Sequence, residues 1–159
     1  MKRVLKLRPF SVVAVLVLAT ALTATAKQKS FSTHLSGSNE VPPVETRAQG
    51  EVQFLLNEEG SELTYRLMVA NIENVRAAHI HSAPAGVNGP VVVLLFGGPT
   101  TSGRTNGVLS EGILTADELT GPLEGMTIAD LVQLIHDGGA YVNVHTVAHP
   151  GGEIRGQLK

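Results

Sequence analysis

The chain has 159 residues, enough for one domain with a hydrophobic core, and it contains no cysteine. The absence of cysteine excludes disulfides, thiolate catalysis, cysteine-based zinc sites and lipid attachment through an N-terminal cysteine. The formal net charge is −2 and the basic residues form no stripe, so nucleic acid is not expected as a partner.

The first 26 residues have the pattern of a secretory signal peptide. Basic residues precede the uncharged apolar run Phe10–Leu22, and Ala24–Ala26 (ATA) fits a cleavage site of small residues. The apolar run has about 13 residues, fewer than the roughly 20 that a spanning helix needs. We therefore predict a signal peptide over residues 1–26, a domain over residues 27–159, and a secreted or periplasmic location without a stable membrane span after cleavage. An uncleaved N-terminal anchor is the alternative.

The predicted domain is acidic, with 8 basic and 14 acidic residues and a formal charge of −6. Its first segments have the alternation of half-buried strands. Ser30–Ser36 alternates apolar and polar residues, and Pro42-Pro43 predicts an extended loop after it. Gln49–Leu56 and Glu62–Ala70 flank Asn57–Gly60, whose residues favour a hairpin turn.

The rest of the chain predicts further short strands and one helix. In chain order these are a link over Asn71–Val75, a strand with His79 and His81, a strand over Val91–Phe96, a flexible connection over Gly97–Gly107, a strand over Val108–Leu114, a helical turn over Thr115–Leu119, a helix over Met126–His136, and strands over Ala140–His145 and Glu153–Leu158. Thr127 and Asp130 have the spacing of a capping box at the start of the helix. We therefore predict an all-β sandwich or barrel of about eight strands with one short inserted helix.

Histidines at alternate positions of one strand are the main candidate for chemistry. His79 and His81 project from the same face of their strand, because side chains two apart in a strand point to the same side. On the later strand, Asn143 and His145 share the face opposite to Val142 and Val144. If the two strands are neighbours, His145 supplies a third imidazole, and three imidazoles with an open position suit copper or zinc.

Three further residues lie close enough in sequence to support such a site. His149 follows the strand and is a candidate fourth ligand, or it is simply solvated. Asn143 or Glu153 is a candidate to orient a ligand ring from behind. Glu153 and Arg155 share a face of the last strand, where an ion pair or an edge contact is expected. The alternative for the three histidines is a structural role, with hydrogen bonds to neighbouring loops.

These motifs also carry a family resemblance. AHIHSAPAGVNGPVVVLL, followed by GGAYVNVHTVAHPGGEIRGQL, resembles the CHRD (chordin-type) domain family, and Asn39–Pro43 is similar to the N-E-V-P-P segment of that family. The resemblance spans roughly Ser30–Leu158. It implies an immunoglobulin-like, Greek-key β-sandwich in an exported protein, and it brings no agreed enzymatic activity.

A weaker similarity is to the Cu/Zn superoxide dismutase sandwich, which also has an H-x-H on a strand. In that comparison His145 would be the later single copper ligand, and Arg155 would stand in for the anion-guiding arginine. The chain departs from the pattern because it has no bridging histidine followed by a zinc-site Asp and no cysteine for the structural disulfide. Dismutase activity is therefore the less favoured outcome.

Two functions are consistent with the sequence. The first is a non-catalytic binding module whose partner is an extracellular or envelope protein or a matrix component. The second is a copper- or zinc-binding protein that uses His79, His81 and His145, with redox activity as a further option. No complete set of catalytic residues is recognisable, so an enzyme is not the favoured reading.

Overall fold

The computed structural model describes residues 29–159, so the predicted signal peptide over residues 1–26 lies outside the described part. Eight strands and one helix make up the fold. They are β1 (Ser30–Ser36), β2 (Gln49–Leu56), β3 (Leu63–Glu73), β4 (Val75–Ser82), β5 (Val91–Gly97), β6 (Arg104–Leu114), α1 (Ile128–His136), β7 (Ala140–Thr146) and β8 (Ile154–Gln157). The prediction of an all-β domain with about eight strands and one short helix is confirmed.

The eight strands form one antiparallel sheet in the order β5-β4-β7-β8-β1-β2-β3-β6. The sheet curls until its two ends nearly meet. The hydroxyl groups of Tyr65 on β3 and Ser110 on β6 both donate to the carbonyl oxygen of Leu95 on β5, at 2.8 and 2.6 Å. These bonds hold the edge strands β5 and β6 together without a backbone ladder. The resulting barrel-like sandwich encloses a single apolar core.

The helix covers part of this core. Thr127 and Asp130 form the predicted capping box, in which each side chain bonds the backbone N–H of the other. The apolar face of the helix carries Ile128, Leu131 and Ile135, which are 0–2% exposed. Within residues 29–159, no helix combines the length and apolar character that crossing a membrane requires.

Two predicted connections are shorter than the sequence indicated. Asn71–Val75 was expected as a link, but β3 runs to Glu73 and β4 begins at Val75, so Asn74 alone separates the two strands. Asn71 and Asn74 both have positive φ angles, +54° and +52°, a conformation that Asn tolerates better than most residues. Sharp changes of direction therefore need no glycine here.

The prediction of a flexible connection over Gly97–Gly107 is also partly wrong. Arg104–Gly107 belongs to β6, because the extension of β3 offers it a partner: Thr105 pairs with Ile72 and Arg104 with Glu73. A run rich in threonine and glycine has little hydrophobic pattern of its own. Pairing with a neighbouring strand decides its conformation.

Candidate metal centre

The face of β4 and β7 that points away from the core carries the three candidate ligands. The two strands are direct neighbours, and their register pairs Ala77 with His145 and His79 with Asn143. Because β4 and β7 are adjacent, His145 can supply the third imidazole beside His79 and His81. His81 is buried with 8% of its surface exposed, whereas His79 and His145 are half-buried.

The three imidazoles form a compact cluster. One ring nitrogen from each of His79, His81 and His145 lies within 4.8 Å of the corresponding nitrogens of the other two. The shortest of these distances joins His79 Nδ1 to His145 Nε2, at 3.0 Å. Zinc–nitrogen bonds of about 2.0–2.1 Å put tetrahedral ligand nitrogens about 3.4 Å apart. The widest pair therefore has to close by little more than about 1 Å, within the reach of side-chain rotation.

The hydrogen bonds of the outer nitrogens place the lone pairs of His81 and His145 on their inner nitrogens, and His79 Nδ1 donates to the inner nitrogen of His145 at 3.0 Å. His81 Nδ1 donates to the carbonyl oxygen of Gly89 at 2.9 Å, and His145 Nδ1 donates to that of Pro150 at 3.0 Å. A carbonyl only accepts, so in each neutral ring the lone pair lies on Nε2. His81 Nε2 is buried without a hydrogen-bond partner. A buried orphan lone pair that faces two further imidazoles fits a metal ion well.

The electrostatics of the site also favour neutral imidazoles. The pKa of His79 is lowered to about 4, mainly by burial. The positive charges that His145 and His81 would carry are smaller causes in the same direction. Burial is the main cause of the lowered pKa of His81 and of His145 as well, and the hydrogen bonds to Gly89 and Pro150 oppose it. Because only a neutral imidazole can bind a metal, these rings are in the competent form at neutral pH.

His81, Tyr141 and Arg155 form a stack of three side chains. The ring of Tyr141 is parallel to that of His81, with 3° between the planes and 4.8 Å between the centroids. The guanidinium carbon of Arg155 lies 4.0 Å from the centre of the Tyr141 ring. Arg155 is in turn held by Glu40, with 2.9 Å between Nη2 and Oε2, and both side chains are less than 5% exposed. Burial raises the pKa of Glu40, and the charge of Arg155 opposes this effect.

The same residues hold the loop between β4 and β5 over the site. Arg155 donates to the carbonyl oxygen of Val87 and to Asn88 Oδ1, and the Tyr141 hydroxyl accepts from the N–H of Gly89. Gly89 also binds His81, so the position of that imidazole depends on the loop. The predicted outward face is therefore covered, and Tyr141 is only 1% exposed.

The structure gives the remaining predicted site residues different positions. Asn143, 1% exposed, contacts both His81 and Glu40, and its Oδ1 has no hydrogen-bond partner. Glu153 instead accepts from Thr46 and Thr146, at 2.7 Å each, and thereby joins the loop before β2 to the end of β7. Within residues 29–159, the cluster with metal-ligand geometry does not include His149, whose backbone closes the turn that follows β7.

The expected contact between Glu153 and Arg155 is replaced by the buried pair of Arg155 with Glu40. Sequence reasoning missed Glu40 because it is 115 positions from Arg155 in the sequence and no local period connects the two residues. One trace of the pair in the sequence is the glycine at position 152. The structure explains it, because Gly152 has a φ of +126° and a Cβ atom there would clash with Glu40 Oε1, so this glycine admits the carboxylate.

The opening to the cluster lies on the side of His79 and His145. A cavity of about 270 Å³ is lined by these two rings together with Arg76, Ala77 and Pro150. Three larger cavities, of about 600, 630 and 730 Å³, are lined by other residues and do not reach the three histidines. The small cavity therefore gives access to the candidate ligands.

Comparison with known proteins gave one match. The family model described as "CHRD domain" matches residues 31–158. The comparisons with curated proteins and with solved structures gave no match.

Proposed function

Because the chain belongs to the CHRD domain family, we propose that it is an exported, non-catalytic binding module whose best-formed site binds one copper or zinc ion. The observation that carries the metal is the approach of His79, His81 and His145, with ligand nitrogens within 4.8 Å of one another. A protein- or matrix-binding module would not require three neutral imidazoles to converge at one point.

The ligand atoms follow from the hydrogen bonds. His81 and His145 would bind through Nε2, because Gly89 and Pro150 accept from their Nδ1 atoms. His79 Nδ1 donates to His145 Nε2 at 3.0 Å without a metal, so binding through this atom would require the proton of His79 to move to Nε2. The bound ion would supply Lewis acidity and, in the case of copper, redox capacity. The Gly89 and Pro150 carbonyls, together with Tyr141, hold the rings in place and so reduce the cost of ordering the site.

Metal analysis of the protein without a histidine tag tests this proposal. After incubation with Cu²⁺ or Zn²⁺ and desalting, the wild type should retain about one ion per chain. The His79→Ala/His81→Ala variant should retain none, and the exposed His34→Ala variant should behave as the wild type. Equal retention by the double variant would refute the proposal. His149→Ala tests the fourth ligand: a loss of affinity would assign His149 to the site.

The second candidate is a module for an extracellular or envelope protein or a matrix component, without a metal. Its support is the family membership alone. Thermal unfolding separates the two functions, because a ligand that binds only the native state must raise stability. A thermal midpoint that does not change with added Cu²⁺ favours the second candidate. Superoxide turnover by the copper-loaded protein would distinguish a dismutase from a metal-binding module, and we expect none.

The export signal is a separate part of the proposal. Its support is the pattern of residues 1–26. N-terminal sequencing of the protein recovered outside the cytoplasm should begin near Lys27. Recovery of only the uncleaved chain in the membrane fraction would favour an N-terminal anchor.

A further inference from the structure

We propose that the metal site takes a small anion as its external ligand, and that Arg76 binds this anion at the mouth of the site. The proposal rests on the proposed function, because the anion is bound jointly by the ion and the guanidinium group. Three observations support it: the backbone that points Arg76 outward, the cavity that it lines, and the charge balance of the ligand set.

A β-bulge places Arg76 at the site. In the ladder between β4 and β7, Val75 pairs with Thr146 and Ala77 pairs with His145, so Arg76 is an extra residue without a partner. Strict alternation from the core residue Ala78 would point residue 76 into the core. The bulge instead allows both Val75 and Ala78 to be buried, at 0% exposure each, while Arg76 is exposed. Bulges commonly redirect a side chain next to a functional site.

The redirected guanidinium is not neutralised. Within residues 29–159, the ion pairs involve Lys29, Arg66, Arg104 and Arg155, and Arg76 belongs to none of them. Arg76 lines the cavity of about 270 Å³ beside His79 and His145, and its charge contributes to the lowered pKa of His145. A guanidinium group beside two imidazoles that can each take up a proton is electrostatically unfavourable unless an anion is bound. This arrangement is explained if an anion binds there.

The ligand set itself leaves the charge of the ion uncompensated. Three neutral imidazoles bring no negative charge to a divalent ion, and three protein ligands leave a position for an external one. His81 is enclosed by Tyr141 and by the loop that holds Gly89, so access is from the side of His79, His145 and Arg76. The size of the cavity favours a small anion with a donor atom for the metal.

Arg155 cannot provide this contact. Its side chain is 4% exposed and its guanidinium is bound to Glu40, Val87 and Asn88. Sequence reasoning considered Arg155 for an anion-guiding role. The structure assigns the accessible cation to Arg76, because the bulge exposes it and no carboxylate covers it.

The test uses the full-length mature protein loaded with Cu²⁺ and titrated with sodium azide. Azide binding to Cu²⁺ is followed by the new charge-transfer absorption and by the change in the electron paramagnetic resonance spectrum. Arg76→Gln should weaken azide binding roughly three- to tenfold, the size expected of one partly exposed charge-assisted contact. Arg76→Lys should restore part of the affinity, since it keeps the charge but not the planar fork.

Arg66→Gln is the matched control. It removes the same charge from an exposed arginine of β3, whose partner is Glu111. At physiological ionic strength a distant exposed charge is largely screened, so azide affinity should change by less than about twofold. Copper content is measured in every sample, so that only fully loaded proteins are compared.

Two outcomes would overturn the inference while the metal site stands. One is a copper-loaded wild type that shows no azide band. The other is an equal azide affinity in Arg76→Gln and Arg66→Gln. Failure of the wild type to retain either copper or zinc would instead refute the proposed metal site, and the metal analysis detects it before any azide is added.

Discussion

The two halves of the curled sheet differ in how far their outer faces are exposed. On β1, β2, β3 and β6 the outer side chains are exposed, including Leu55 at 58% and Ile113 at 56%. On β4, β7 and β8 the outer face is covered by loops, and a polar network lies beneath them. The six buried polar or charged side chains of residues 29–159 all belong to this second half or to the loop that bonds to it, namely Glu40, His81, Asn143, Thr146, Glu153 and Arg155.

This difference indicates that the two halves have different roles. Both contribute apolar side chains to the same core, so the core alone does not require a covered outer face. Burying polar groups is costly unless they are paired, and the second half pairs most of them but leaves Glu40 Oε1, His81 Nε2 and Asn143 Oδ1 without partners. We therefore expect substitutions to have large effects on the covered face and small effects on the open one.

The largest effect is expected at the buried ion pair. Arg155→Met leaves the Glu40 carboxylate buried without its partner and should lower the free energy of unfolding by about 3–5 kcal/mol. Arg66→Met breaks the exposed pair with Glu111, whose atoms are 3.6 Å apart, and should cost less than about 1 kcal/mol. Urea unfolding at neutral pH measures both. Similar losses in the two variants would show that the two faces do not differ as described.

A smaller effect is expected for a buried hydroxyl. Thr146 is fully buried and donates to Glu153 Oε2 at 2.7 Å, so Thr146→Val should cost about 1–3 kcal/mol by leaving the carboxylate short of a donor. Thr64 is exposed on the outer face of β3, and Thr64→Val should change stability by less than about 0.5 kcal/mol. The same unfolding measurement applies. An unaffected Thr146→Val would mean that Glu153 Oε2 does not depend on the Thr146 hydroxyl.

The pH dependence of the metal-free protein follows from the histidines. The folded pKa of His79, about 4, is below its ordinary value of 6.5, so the unfolded chain binds more protons between these values. Stability should therefore fall as the pH drops below about 6.5, and the loss from His79 should be complete near pH 4. Its size should be about 1–2 kcal/mol, after allowance for the partial exposure of the ring.

Variants identify the source of this pH dependence. His79→Gln should flatten the curve of unfolding free energy against pH between 4 and 6.5, and the exposed His34→Gln should not. Saturating Cu²⁺ should shift the loss of stability to lower pH, because the bound ion competes with protons for the same nitrogens. An unchanged curve for His79→Gln would contradict the lowered pKa.

The smallest effects are expected on the open face. Leu55→Thr and Ile113→Thr replace exposed apolar side chains on β2 and β6, the two strands that flank β3, and should each change the free energy of unfolding by less than about 0.5 kcal/mol. Neither should alter copper retention. A loss of more than about 1 kcal/mol would indicate that a partner or a second copy covers this face in solution.

The difference between the halves was only partly predictable. Period-2 alternation identified β1 and β2 with their observed bounds, and the capping box located the start of α1, because these signals are local. The same alternation placed His79 and His81 on one face. It could not show that this face is covered, since the covering loop between β4 and β5 is held in place by Arg155 and Tyr141, which lie far along the sequence.

The sequence by itself determined the strands, the single helix and the identity of the three histidines, because strand alternation and capping depend on residues a few positions apart. Only the tertiary structure decided that β4 and β7 are neighbours, that Glu40 pairs with Arg155, and that a bulge turns Arg76 outward. Each of these depends on contacts between residues distant in sequence or on the register of two strands. The charges around the site and the burial of its side chains are therefore properties of the folded sheet.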